Sequence, residues 1–354
     1  MPAGLIGVNV IPTVTDTTGC EPLIVSNRFK VVYVLMTNKC NLECKHCYVS
    51  SGPRGEYGLS VERMMRLSDE VYETIGSAVF GLGGGEALVR LEDTLRVIEH
   101  ARRHHEVKLV TNGTLITPAV ARQLTRNKIH IKISLDGGTA ELHDFMRGRG
   151  AFARTMRGIQ NLLDAGQDLE RLGLGATLPS CHIEGIGDVL AVADRFGVMR
   201  VRFGAIFKGG RAVLNWPHIP TTDTDHDNND FKAYFKHNFE KEFGDKWCLI
   251  DADHVMRMYN TLNIYYDGEV YVVTPADRDQ EKSNCLGSVA NESLGTILQE
   301  ERVSRVMMRQ FLRHSRGPEK SARNFCAIKK ELLRGDDEEF ALTGTKILVD
   351  LAGD

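Results

Sequence analysis

The stretch KVVYVLMTNKCNLECKHCY, residues 30–48, decides how this chain is read. It opens on Lys30–Met36, a run of Val, Tyr and Leu that suits a β-strand. Three cysteines follow at once, Cys40, Cys44 and Cys47, with His46 between the last two and Tyr48 after them. Three thiolates on one short loop can reach three irons of a cubane cluster. The loop offers no fourth ligand of the usual kind, which leaves one iron open to a substrate or cofactor. Two other readings fit the loop taken alone. A zinc site would recruit His46 and would need a closed tetrahedral set. A redox pair would use Cys44 and Cys47.

Outward from this loop, strand-like and helix-like segments alternate. Ser60–Ile75 reads as a helix capped by Ser60, with Met64, Leu67, Val71 and Ile75 on one face. Further helices are predicted over Leu91–Arg102, Pro118–Arg126, Ala151–Ala165 and Ile186–Phe196, the last stopped by Gly197. Strands are predicted over Ala78–Leu82, Val107–Val110, His130–Leu135, Leu172–Leu178 and Arg200–Ile206. Six strands alternating with helices imply an α/β fold with a parallel sheet and right-handed crossovers. Six units fall short of an eight-fold barrel, so the expectation is an open, partial (β/α)6 barrel over residues 30–206. Functional groups should then lie at the C-terminal ends of its strands. Residues 1–29 read as an N-terminal extension, and 207–244 as a linker followed by a helix at Phe231–Phe243. From 245 to 354 a small α+β C-terminal domain is expected. It should hold a hairpin within Ile264–Val273, turning at Asp267-Gly268, and a helix over Leu294–Phe311.

The strand ends carry polar and glycine-rich tips. Gly83-Gly84-Gly85-Glu86 follows the second strand, and Thr111-Asn112-Gly113 ends the third. Ser134-Leu135-Asp136-Gly137 ends the fourth, with His143-Asp144 and Arg147-Gly148 beyond. Gly84 and Gly85 would let backbone approach a ligand closely, or simply make a tight turn. Glu86 could accept hydrogen bonds from an amino group. Asn112 and Ser134 are polar residues at strand tips, where turn capping is their ordinary role. Arg147 suits bidentate pairing with a carboxylate.

Together with the cysteine loop, the order and spacing of these motifs resemble the radical S-adenosylmethionine (radical SAM) superfamily across residues 30–206. The resemblance implies a [4Fe–4S] cluster on Cys40, Cys44 and Cys47. It implies S-adenosyl-L-methionine (SAM) with its amino group at the Gly84-Gly85-Glu86 turn and its ribose or carboxylate near Asn112 and Ser134. Arg147 would pair with the carboxylate, and His46 would lie near the adenine. It further implies that reductive cleavage of SAM yields a 5′-deoxyadenosyl radical, which abstracts hydrogen from a substrate carbon. A non-catalytic zinc or iron–sulfur protein is the alternative of another class.

Five of the eight cysteines remain. Cys248, Cys285 and Cys326, arranged around the hairpin, resemble the SPASM or twitch extensions of the superfamily, which carry auxiliary clusters. The count leaves room for one such cluster. Val272, Val273 and Thr274 stand where those extensions carry a cysteine, and Lys329 replaces the CxxC partner of Cys326. Three buried structural thiols are the plainer reading. Cys181, just past the fifth strand, could donate a hydrogen atom, as the superfamily's epimerases require, or be an ordinary buried thiol. Cys20 falls outside any motif.

Bulk composition narrows the partners. The chain has 354 residues, 42% apolar, with a net charge of −3. Nothing here draws a polyanion, so no nucleic-acid partner is expected. No signal peptide or membrane span is read, and eight cysteines are too sparse for a disulfide scaffold; a reducing cytoplasm is expected. The resemblance implies a one-electron reductant such as flavodoxin or ferredoxin. It also implies a substrate that is a ribosomally made precursor peptide, cross-linked or oxidised. The alternative is a sugar or aminocyclitol that is dehydrogenated or epimerised. The segment before the first strand is short for a leader-recognition domain. A precursor would then be met by the barrel rim, by the smaller domain or by a separate leader-binding protein. Lys208, Arg211 and Trp216 are candidates for lining that rim.

Overall fold

The structure is a computed structural model that describes residues 29–178, 185–206, 208–219, 247–250, 261–272, 285–299, 302–303, 306 and 347–352. Six parallel strands follow one another in chain order through the sheet: β1 (Val31–Leu35), β2 (Val79–Gly83), β3 (Glu106–Thr111), β4 (His130–Ser134), β5 (Leu172–Leu178) and β6 (Arg200–Ala205). Six helices of the connections are α1 (Val61–Ile75), α2 (Leu91–Ala101), α3 (Pro118–Arg126), α4 (Ala140–Arg147), α5 (Ala151–Asp164) and α6 (Gly185–Phe196). Where these elements were predicted, their ends agree to within about a residue.

Local chemistry explains the ends. The Ser60 hydroxyl accepts from the Arg63 amide at the start of α1, and Gly76, at φ +82°, stops it. Thr117 caps α3 just ahead of Pro118. α4 was not anticipated as a helix. Thr139 caps it by accepting from the Leu142 amide, and Gly148, at φ +100°, ends it.

Strand residues alternate between two environments. Val34, Leu82, Leu109, Ile133, Leu174 and Phe203 are buried in one core with Met64, Leu67 and Val71 of α1 and Ile159 and Leu162 of α5. Their neighbours on the opposite face, among them Tyr33, Lys108, Lys132 and Arg202, are only half-buried. The helices therefore seal one face of the sheet and leave the other as a lumen.

The sheet continues past the six strands on both sides. β8 (Thr261–Ile264) runs parallel to β1, pairing Thr261 with Val31. β9 (Glu269–Tyr271) and β10 (Cys285–Ser288) add antiparallel strands beyond it. On the far side β11 (Ile347–Ala352) pairs with β6, and β7 (Trp247–Ile250) pairs with β11. Among the described residues β10 and β7 are the edge strands, and no hydrogen bonds close the sheet between them. The β8–β9 hairpin turns where expected, with Gly268 at φ +93°, and it extends the barrel sheet.

The segment after β6 contains a short helix, α7 (Arg211–Asn215), within what read as linker. The single helix expected over 294–311 is interrupted. α8 (Leu294–Ile297) is one turn long and Leu298 leaves it at ψ +19°, with helical backbone again at Arg302, Val303 and Val306. The predicted helix at Phe231–Phe243 and the N-terminal extension through residue 28 lie outside the described residues. Among the described residues no helix is long and apolar enough to cross a membrane.

Candidate active site around the cysteine loop

The three cysteines lie together in the loop after β1. Cys40 and Cys44 are buried around Leu42, with half-buried Cys47 packed against them, and all three thiols are free. The loop is pinned at its base: the Cys40 amide donates to the Gly52 carbonyl at 2.9 Å, and the Thr37 hydroxyl to the Glu56 carbonyl at 2.6 Å. Two backbone amides point at sulfur, Leu42 at Cys40 Sγ (3.4 Å) and Ser51 at Cys47 Sγ (3.3 Å). Burial pushes the Cys40 thiol up to about 12 and the Cys44 thiol up to about 11. Thiolate is the ligating form, so these two sites need bound cations to hold their charge. Among the described residues no three His, Cys, Asp or Glu side chains converge on a point that would hold a single metal ion. A cubane asks something else, that each thiolate meet its own iron, and this donor set fits it.

The glycines at the β2 tip serve the loop. A Cβ on Gly84 would lie 2.6 Å from the Thr37 carbonyl oxygen, and one on Gly85 would collide with the Lys39 carbonyl. The Gly85 amide donates to Thr37 O (2.7 Å) and the Glu86 amide to Lys39 O (3.0 Å). The side of Gly84 and Gly85 on which a side chain would stand is thus taken by backbone of the cysteine loop, clamped edge-on to β2.

Glu86 is 1% exposed. Its carboxylate accepts from the Leu88 amide (3.1 Å), the Thr111 hydroxyl (2.8 Å) and the Asn112 amide (2.7 Å), tying β2 to the end of β3. Burial raises its pKa against these three donors. Oε2 takes only the Asn112 amide among them and retains acceptor capacity. Asn112 in turn bonds Asn41 of the cysteine loop through Nδ2 at 3.0 Å, and its Oδ1 accepts from Thr114. Ser134 ends β4 on the half-buried face.

Arg147 is committed elsewhere. Its guanidinium grips fully buried Asp136 with both arms, Nε to Oδ2 at 2.5 Å and Nη2 to Oδ1 at 3.1 Å. His46 Nε2 lies 3.1 Å from the same carboxylate, and the Thr177 amide donates to it at 3.0 Å. The fork expected to hold a cofactor carboxylate therefore already holds a protein one. Burial alone would raise the Asp136 pKa, but Arg147 and His46 outweigh it and hold the carboxyl well below the usual range. His143 accepts from the Asp136 amide through Nδ1 at 3.1 Å. Burial, with Arg147 nearby, pushes its pKa down to about 4, so it is neutral near pH 7. His46 Nδ1 is buried with no partner among the described residues, an orphan beside the cysteines that a bound cofactor could satisfy. Asp136 lies within the Ser134–Gly137 motif, where the sequence alone assigns it no role; its four polar partners come from three other segments.

Arg211 faces the loop as well. Its Nη1 donates to the Cys44 carbonyl (2.8 Å), its Nη2 to that of Ser51, and its amide to that of Cys47 (2.9 Å). Asn215 adds a bond to the Lys45 carbonyl at 3.0 Å. Arg211→Ala is expected to weaken retention of the loop's metal about tenfold, the worth of one or two charge-assisted bonds. The reading is the decay of cluster absorbance under a chelator; decay at the wild-type rate would remove the clamp role. Lys208 lies 5.2 Å from the Trp216 ring centroid. Of the C-terminal cysteines, Cys285 is half-buried in β10 and donates to the Gly287 carbonyl. Cys248 lies in β7, the opposite edge strand. Cys326 and Cys181 fall outside the described residues.

Comparison with known proteins agrees with this geometry. Residues 34–178 match the radical SAM superfamily. The mycofactocin maturase MftC of Mycobacterium ulcerans is 35% identical over 189 residues, 53% of this chain and 50% of that protein. The AdoMet-dependent heme synthase of Methanosarcina barkeri is 32% identical over 198 residues, 53% of this chain and 54% of that protein. The chain spans about half the length of the curated relatives it matches. The crystal structure of Streptococcus suis SuiB bound to precursor peptide SuiA shares the fold, with a TM-score of 0.58 and 12% identity over 77% of this chain and 65% of that one. The superfamily implies a 4Fe–4S cluster and SAM. Parallel strand order, three cysteines gathered after the first strand and the matched segment all coincide, and residues 34–178 are a radical SAM domain.

Proposed function

We propose that the chain is a peptide maturase that forms a cross-link in, or oxidises, a ribosomally made precursor peptide. The observation that carries this is the gathering of Cys40, Cys44 and Cys47 after the end of β1, with Asn112 of the Glu86 network bonded to Asn41 of the same loop. The names of the relatives point to the substrate: one is a mycofactocin maturase, and the fold neighbour was captured with its precursor peptide. When bound, the cluster and SAM supply one-electron cleavage of a C–S bond and a radical able to take hydrogen from carbon.

The chain's own residues hold that chemistry in place. Cys40, Cys44 and Cys47 ligate, Oε2 of Glu86 and His46 meet the cofactor, and Asn112 and Ser134 line its polar side. Arg147 and Asp136 act from beneath by fixing His46 and the loop. A flavodoxin or ferredoxin supplies the electron, and a separate protein presents the leader. A hydrogen-donating Cys181 and a C-terminal SPASM/twitch-like domain from residue 245 belong to the same proposal, as does one auxiliary cluster on Cys248, Cys285 and Cys326, which requires the edge strands β7 and β10 to approach one another.

The test is incubation of reconstituted enzyme, SAM and reductant with any short peptide encoded beside it, together with any partner encoded there. The expected result is loss of hydrogen mass from the peptide by mass spectrometry. An unchanged peptide, with a sugar or aminocyclitol oxidised instead, would reverse the assignment.

A further inference from the structure

The lumen face of the sheet departs from barrel interiors packed with branched apolar side chains. Lys108, Lys132, Arg200 and Arg202 stand on it with Tyr33, and glycines fill much of the rest. The register sets Lys132 beside Gly173 and Gly173 beside Arg200, then Ser134 beside Gly175 and Gly175 beside Arg202. Tyr33 lies across β2: a Cβ on Gly81 would meet its ring, and one on Gly83 its hydroxyl. A Cβ on Gly175 would come within 3.2 Å of the Lys132 stem. The glycines thus make room for large polar side chains that turn inward.

Lys108 and Lys132 are engaged by neighbours. For Arg202 no hydrogen bond or ion pair is found among the described residues, and its Nε is buried without a partner. A buried donor left unpaired costs roughly 1–3 kcal/mol, more for a charged group. Arg202 and Tyr33 stand on the first and last of the six consecutive strands, yet the guanidinium charge reaches the Tyr33 hydroxyl. Burial outweighs that charge and keeps the phenol protonated, with Glu86 acting in the same sense as burial. Both side chains stand on the lumen face, and one of them is a cation with an unanswered donor. Such a pair calls for an acceptor-only, negatively charged group, and the planar fork of arginine matches a carboxylate. Arg202 lies three residues before the end of β6, roughly 10 Å below the rim at the rise of a strand. In register it is level with Ser134, two strands away across Gly175.

We propose that Arg202 and Tyr33 form a receptor for a carboxylate of the substrate. This rests on the reading of the substrate as a peptide, whose acidic side chains and terminus supply such a group. SAM also carries a carboxylate, so the test must separate the two sources.

The probes are N-acetyl-L-glutamate and its uncharged counterpart N-acetyl-L-glutaminamide, titrated calorimetrically into reconstituted, SAM-loaded enzyme. Wild type should bind the carboxylate and not the amide. Arg202→Gln should lose about tenfold or more in that affinity and Tyr33→Phe a few-fold. Both variants should keep the KM for SAM in substrate-free cleavage. Equal binding of the two probes, no binding of either, or undiminished binding in Arg202→Gln overturns the receptor. A raised KM for SAM in Arg202→Gln with probe binding intact also overturns it, by assigning Arg202 to the cofactor. If Arg202→Gln does not fold, Tyr33→Phe decides alone, and unchanged affinity there counts against the proposal. Carboxylate binding that persists while no peptide is modified refutes the maturase reading and leaves the receptor standing.

Discussion

Changing Cys40, Cys44 and Cys47 together to alanine is expected to bring SAM cleavage down to the uncatalysed background, measured as 5′-deoxyadenosine after anaerobic reconstitution and reduction. Among the described residues no other cysteines gather at a strand end: Cys285 stands alone in β10, and Cys40 and Cys44 share one buried cluster with Cys47 against it. Cleavage retained in this triple variant would sink the assignment. Iron content of the same variant separates two cases. About four irons per chain remaining would reveal an auxiliary cluster held by the other cysteines, and none would leave Cys248, Cys285 and Cys326 as structural thiols.

Asp136→Ala is expected to cost about 3–5 kcal/mol of folding stability, the usual toll of removing one partner from a buried ion pair. Arg147 stays buried with its two donors unanswered, and His46 and the Thr177 amide lose the same acceptor. Denaturant unfolding of the metal-free protein gives the number. The double variant Asp136→Ala/Arg147→Met should regain a large part of the loss, because it removes both charges and keeps the volume. A single-variant loss below about 1 kcal/mol, or strictly additive effects in the double, would show that the pair is not coupled as described.

The sequence made the barrel legible because its helices are amphipathic and capped and its strands are short apolar runs between turns. Ser60, Pro118 and Gly197 mark boundaries that the structure keeps. α4 escaped notice because it spans eight residues between glycine-rich turns, too short for a periodic pattern to stand out. The motif residues were found, but three partners were not. Arg147 is spent on Asp136, Gly84 and Gly85 face the cysteine loop, and Arg211 holds that loop. The first joins residues 11 apart and the other two join segments far apart in the chain, and local periodicity carries no information about any of these pairings. The interruption at Leu298 follows Gly295 and Thr296, two weak helix formers that the apolar spacing of the segment masked.

The pairing of β8 with β1 sets a timetable for synthesis. Val31 and Thr261 stand side by side in the finished sheet, yet the second is made about 230 residues after the first. At roughly 5–20 residues per second, a ribosome needs some 10–50 seconds to cover that interval. Throughout it, the first strand has β2 on one side and an exposed row of amides and carbonyls on the other. Such an edge invites pairing with neighbouring nascent chains, and a contact so distant in sequence is slow to form. The nascent barrel is therefore a natural client for chaperones until its C-terminal hairpin emerges, and truncations that end before residue 261 should aggregate even though all six core strands are present.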